Sequence, residues 1–199
     1  MKKIILSLCV ALMSVGAFAA DEYYEEEAKA GDWGVGLNIG MGTRNPVVNI
    51  GMGAKIQYYL TDALRSEVSY NGFFKSSHIT YWDLNLNLHY VFNMKYGLAI
   101  YPIVGVTFVH GHYKNNERIE ELETNFWELF LFGTTDKMYN DREGSIGFNV
   151  GAGIQYAIIP NLYANIEGVF KYAGTKDLGP YNAQIGPRFQ TTVGLTYRF

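Results

Sequence analysis

Trp82-Asp83-Leu84-Asn85-Leu86-Asn87-Leu88-His89-Tyr90-Val91-Phe92 is the stretch that decides the fold. Its even positions carry Trp, three Leu, Tyr and Phe, while Asp83, Asn85, Asn87 and His89 take every odd one except Val91. Neighbouring side chains of a strand point to opposite faces, so this segment has one apolar face and one polar face.

Working outward, the same period of two recurs. Residues 32–43 set Trp33, Val35, Leu37, Ile39 and Met41 against four-fifths glycine and Asn38. Residues 47–60 set Ile50, Met52, Ala54, Ile56 and Tyr58 against Asn49, Lys55 and Gln57; 63–74 set Leu64, Val68, Tyr70 and Phe74 against Arg65, Glu67, Ser69 and Asn71. Further strands are expected over 79–92, 97–112, 144–157, 162–172 and 189–199. In the fifth, Ile103 and Val109 sit opposite Leu98, Ile100, Val104, Val106 and Phe108, and Pro102, which lacks a ladder donor, predicts a bulge.

In this phasing no Asp, Glu, Lys or Arg falls on the apolar face of any strand. Lys55, Arg65, Glu67, Asp83, Glu167, Lys171 and Arg198 all fall on the other face. A face rich in glycine and charge cannot be the one buried against a hydrophobic core, so the apolar face meets lipid and the polar face turns inward. An open sheet in lipid leaves backbone donors and acceptors unpaired, at roughly several kcal/mol each. The expected fold is therefore all-β, an eight-stranded antiparallel up-and-down transmembrane β-barrel.

Connection lengths and depth agree with this. Short links are expected near Thr61-Asp62, Asn93–Tyr96 and Ile158–Asn161; the opposite end carries links near Arg44-Asn45-Pro46 and Lys75–His78, a long one over Lys114–Glu143, and another over Ala173–Pro187. Short turns at one end and longer loops at the other are the habit of outer-membrane barrels, and would leave both termini periplasmic. Aromatic residues gather at both rims, Trp33, Tyr58, Tyr90, Phe92, Tyr156, Tyr197 and Phe199 at one and Phe74, Trp82, Phe108, Phe148, Phe170, Tyr172 and Phe189 at the other. Rings prefer bilayer interfaces, with aliphatics between.

The first twenty residues start with Lys2 and Lys3, run through an apolar stretch from Ile4 to Val15 and finish at Ala17-Phe18-Ala19-Ala20. This reads as a signal peptide, too short to span a bilayer. It holds Cys9, so the mature chain is expected to have no disulfide. Residues 21–31, with Glu25-Glu26-Glu27, read as an acidic flexible leader, and 32–199 as the barrel. With Lys2 and Lys3 removed from the 16 basic residues, 14 face 19 acidic ones, which argues against nucleic acid as a partner.

The final strand, Thr192-Val193-Gly194-Leu195-Thr196-Tyr197-Arg198-Phe199, resembles the signal that assembly machinery reads in bacterial outer-membrane barrels. Thr192, Gly194, Tyr197 and Phe199 carry that likeness. Residues 32–199 as a whole resemble the small eight-stranded family that includes the OmpA membrane domain and OmpX. The resemblance implies outer-membrane lipid, the barrel-assembly machinery and periplasmic chaperones as partners, and no cofactor.

Three features are candidates for function. The inward Lys55, Arg65, Glu67, Asp83, Glu167, Lys171 and Arg198 are expected to form a polar network, structural first and a gated ion path second. Within Lys114–Glu143, Ile119, Leu122, Phe126, Leu129 and Phe130 follow a helical stripe, and with Trp127 they are candidates for contact with an extracellular partner, either as a short helix or as extended strand pairing. His110 and His112 share a strand face roughly 7 Å apart. No serine stands beside them to build a lipid A deacylase or acyltransferase site, and no third ligand completes a metal site. Gly34-x-Gly36-x-x-x-Gly40 lies within a strand, so it is no nucleotide loop. The expected role is a non-enzymatic structural, adhesive or surface-interaction barrel, with a lipid-modifying enzyme or a narrow gated pore as competing classes.

Overall fold

The computed structural model describes residues 28–44, 47–76, 79–115, 139–178 and 183–199. Eight long strands build it: β1 (Trp33–Arg44), β2 (Val47–Tyr59), β3 (Leu64–Ser76), β4 (Ile79–Tyr90), β5 (Leu98–Asn115), β6 (Tyr139–Ile159), β7 (Leu162–Ala173) and β8 (Arg188–Arg198). Each pairs antiparallel with its neighbours in the chain, and β8 returns to pair with β1 from Gly34↔Arg198 to Thr43↔Phe189. The sheet is therefore closed. Trp33 and Phe199 exchange both backbone hydrogen bonds at the seam, 3.0 and 2.9 Å.

Closure sorts the faces as the alternation requires. Leu37 is 70% exposed and Ile146 76%, whereas Asp83 and His89 are 0% exposed. The molecule has a charged, hydrogen-bonded centre and an apolar exterior. Rings meet in pairs at both rims: Trp33 with Tyr58 and Tyr90 with Phe92 at the short-turn end, each 4.8 Å between centroids, and Phe148 with Tyr172 at 5.2 Å towards the other. Gly153, on the inner face of β6, lies under the Tyr101 ring, which a Cβ there would strike.

The structure departs from the sequence expectation at several boundaries. Pro102 makes no bulge: β5 runs against β6 without a break, Pro102 opposite Ala152. Instead, pairing with β4 stops at His89↔Ile103, and Phe92-Asn93, just beyond the end of β4, resume it at Phe92↔Ile100 in the same register. The missing proline donor is accommodated by a gap in one ladder, with no inserted residue. Irregularities in register occur elsewhere, between Phe73 and Ser76 on β3 and between Ala157 and Ile159 on β6.

β5 and β6 also run further than their alternation foretells. They pair out to Asn115↔Tyr139, so both ends of the segment expected as a loop from Lys114 to Glu143 are strand. Ile119, Leu122, Phe126, Trp127, Leu129 and Phe130 lie outside the described residues, as do the signal peptide and the leader up to residue 27. Between β7 and β8 a small hairpin pairs Lys176–Leu178 with Ala183–Ile185.

At the short-turn end, residues 28–32 fold back on the rim. Gly31 N donates to Tyr59 O at 2.8 Å, Tyr59 N to Asp32 O at 2.9 Å and Ala30 N to Asp62 Oδ1 at 2.9 Å. Ala28 is buried in a cluster with Tyr59, Val91, Tyr101 and Ile103.

Candidate functional site

Alternation puts one charged residue after another on the inner wall, and closure decides which of them meet. Lys55 of β2 reaches across to β7, where its Nζ lies 2.7 Å from Glu167 Oε1 and 2.9 Å from Asn165 Oδ1. It stands 3.7 Å from Glu67 Oε2, which also accepts from Gln57 Nε2 at 2.7 Å. Tyr101 of β5 donates its hydroxyl to the same Glu167 oxygen at 2.8 Å, and Thr192 donates to the other at 3.3 Å.

Towards the long-loop end, Asp83 of β4 forms a second cluster. Its Oδ1 accepts from Asn71 at 2.8 Å, Asn85 at 2.7 Å and Lys171 at 2.8 Å; its Oδ2 accepts from Arg188 at 3.2 Å. One carboxylate thus holds two cations brought from β7 and β8.

Towards the short-turn end, Arg65 of β3 is buried, and among the described residues no carboxylate is in bonding range of it. Its Nε and Nη2 point at His89 Nδ1, at 3.2 and 2.9 Å, and Nη1 donates to Gln155 Oε1 at 2.8 Å and Tyr59 OH at 3.2 Å. Arginine has donors only, so His89 Nδ1 must be an acceptor and its ring proton sits on Nε2. The His89 ring stacks on Tyr101 at 5.0 Å, and the guanidinium lies 4.7 Å from the Tyr101 centroid.

The two kinds of cation are held differently. Lys55 and Lys171 each form a short ion pair with a carboxylate. Among the described residues the three buried arginines also lie against rings: Arg65 on Tyr101 and Tyr59, Arg188 beside the paired Phe73 and Tyr81 at 5.4 and 5.1 Å, and Arg198 on Tyr163 at 4.9 Å. A planar guanidinium gains from an aromatic face where a compact ammonium requires an oxygen.

Between the Lys55 and Asp83 clusters lies a polar cavity lined by Asn38, Glu67, Asn87, Glu167, Lys171 and Gln190. Asn38 Oδ1 and Gln190 Oε1 are buried there without a protein partner, which suits them as acceptors for internal water.

Every charged residue expected in the network is in the interior. Lys55, Glu67 and Glu167 come together, Lys171 joins Asp83, Arg65 stands with neutral partners, and Arg198 lies at the short-turn rim 3.7 Å from Asp32. Sequence reading did not include Arg188, Tyr101 or Tyr59, and it placed His89 on the polar face without a partner. Alternation carried back one residue from Phe189 points Arg188 inward, and carried on from Ile100 it points Tyr101 inward. Of the residues proposed to carry the assembly signal, Thr192 and Gly194 face in, and Tyr197 and Phe199 lie outward with rings 6.5 Å apart. His110 faces outward against Trp82 at 5.3 Å, and among the described residues no group of three His, Cys, Asp or Glu could hold a metal.

A family model described as outer membrane protein beta-barrel domain matches residues 5–199. No curated protein is similar in sequence. Among solved structures, the N-terminal barrel of Pseudomonas aeruginosa OprF is 18% identical, with a TM-score of 0.54 over 83% of this chain and 97% of that one. Neisserial surface protein A is 15% identical, TM-score 0.56, over 87% of this chain and 100% of that one. A de novo designed transmembrane β-barrel is 17% identical, TM-score 0.51, over 87% and 99%. These likenesses concern the fold.

Proposed function

This chain belongs to the outer membrane protein beta-barrel domain family, and from that premise we propose that it is a non-enzymatic barrel of the bacterial outer membrane that acts through its outer loops. In this reading both termini are periplasmic, and the long-loop end faces outside. Outer-membrane lipid surrounds the barrel, and the assembly machinery and periplasmic chaperones deliver it, reading Thr192, Gly194, Tyr197 and Phe199. The role is structural, adhesive or surface-interacting, with residues 116–138 as the contact segment for an extracellular partner.

The observation that carries this reading is the overshoot of β5 and β6. Their pairing continues to Asn115↔Tyr139, well past the ring pairs of the rim, so the two strands project beyond that rim as a paired stalk. Cells bearing the chain with 116–138 replaced by a short Gly-Ser linker provide the test. The barrel should still show the mobility shift of a folded barrel on unheated gels, while adherence of whole cells to one another and to glycan-coated surfaces falls several-fold. Unchanged adherence together with an altered lipid A profile would overturn the reading in favour of an enzyme.

The polar cavity between the two charge clusters favours one second reading, a narrow gated pore. Planar-bilayer recording of the purified chain separates it: conductance steps that vanish in Lys55→Met would replace the surface role with a transport one.

A further inference from the structure

Three consecutive outward rungs cross β4, β5 and β6 towards the long-loop end. The first is Leu84–Phe108–Ile146, the second Trp82–His110–Gly144 and the third Thr80–His112–Arg142. They change from wholly apolar, through amphipathic rings, to hydrogen-bonding and charged. Trp82 ties the first two together, 5.6 Å from the Phe108 ring and 5.3 Å from the His110 ring. Arg142 lies on the outward face of β6, opposite His112, and is exposed. Its neighbour Glu143 falls on the opposite face by alternation.

From this arrangement we propose that Arg142, His112 and His110 form a site for the phosphate of an outer-leaflet glycolipid of the lipid A type, whose acyl chains lie on the rungs below. The proposal rests on the orientation given under Proposed function. Height supports it. One rung is two residues, about 6.6 Å along a strand. At a tilt of roughly 40° this lifts Arg142 about 5 Å above the Trp82–His110 rung. A headgroup layer is roughly 5–8 Å deep on each side. With the Trp82 ring at the inner boundary of the headgroups, Arg142 falls within the headgroup layer and not in the water above it.

Chemistry supports it as well. A guanidinium matches phosphate with two parallel N–H donors, and cross-strand neighbours stand about 5 Å apart at Cβ, so the His112 ring can supply a third donor to the same group. The site is continuous with the lipid-contacting wall, so its occupant must be amphiphilic. A phosphorylated acyl glycolipid combines the two requirements, an anion at the third rung and hydrocarbon at the first.

Native mass spectrometry of the full-length folded chain in detergent tests this with three added lipids: bisphosphorylated lipid A, the same lipid dephosphorylated, and phosphatidylglycerol. The wild type should retain one bisphosphorylated lipid A at least five-fold more than either of the others. Arg142→Gln with His112→Gln should abolish that preference, and Lys95→Gln, at the exposed short-turn end, should leave it intact. Equal retention of the three lipids, a preference that survives the double variant, or loss in Lys95→Gln would each overturn the proposal. The gel-shift assay on the same sample separates failure of the site from failure of the barrel reading: a chain that shows no shift refutes the barrel, whereas a shifted chain without the lipid preference refutes the site alone.

Discussion

Asp83 and Arg65 are both sealed inside the barrel, yet they are held in opposite ways. Asp83 has two cations and two amides on it. Arg65 has a neutral imidazole, an amide, a phenol and an aromatic face. The difference follows from what each group demands. A buried carboxylate concentrates its charge on two oxygens and requires cationic donors, whereas a guanidinium spreads its charge over a plane that neutral acceptors and rings can surround. It follows that Asp83 is the keystone of a charge balance and Arg65 of a hydrogen-bond cage.

The largest expected effect tests that distinction directly. Asp83→Leu leaves Lys171 and Arg188 buried beside each other without an anion, and should cost about 3–5 kcal/mol in urea unfolding from lipid vesicles. Adding Lys171→Met and Arg188→Met should recover most of the loss, since the penalty lies in the stranded cations. Arg65→Met breaks no ion pair in bonding range and should cost less, about 1–3 kcal/mol for the unpaired polar partners. Were it to cost as much as Asp83→Leu, the contrast between the two regions would collapse. His89→Phe preserves the stack on Tyr101 and removes one acceptor, so its cost should be smallest, about 1 kcal/mol. Nitrogen NMR of the wild type sharpens the same point: the His89 proton should be found on Nε2, and a proton on Nδ1 would contradict the Arg65 cage.

The direction of each side chain was legible in the sequence, but the identity of its partner was not. Period two suffices to turn Lys55, Glu67 and Glu167 inward, because direction is a property of one strand. That Lys55 meets Glu167 depends on how far each strand slides past the next around the ring, and alternation carries no record of that slide. Arg188 lies one residue before the strand onset that alternation marks at Phe189, directly after Pro187. The outer ends of β5 and β6 were hidden for a different reason. Tyr139-Asn140-Asp141-Arg142-Glu143 has no apolar-polar alternation. Beyond the hydrocarbon a strand needs a pairing partner and no greasy face, so the hydrophobic signal ends before the β-structure does. Pro102 marks a disturbed ladder in the sequence, but a missing donor is met equally by an added residue or a forgone bond, and the strand forgoes the bond.

The seam between β1 and β8 has a consequence for how the protein is made. Trp33 and Phe199 bind each other across the ring, so the earliest strand remains without one neighbour until the latest is present. No smaller closed circle exists on the way. An assembly that depends on so distant a pairing is slow, and during the wait two raw edges are open to any other extended polypeptide. The wall that has no edge when finished is thus at its most exposed just before it closes.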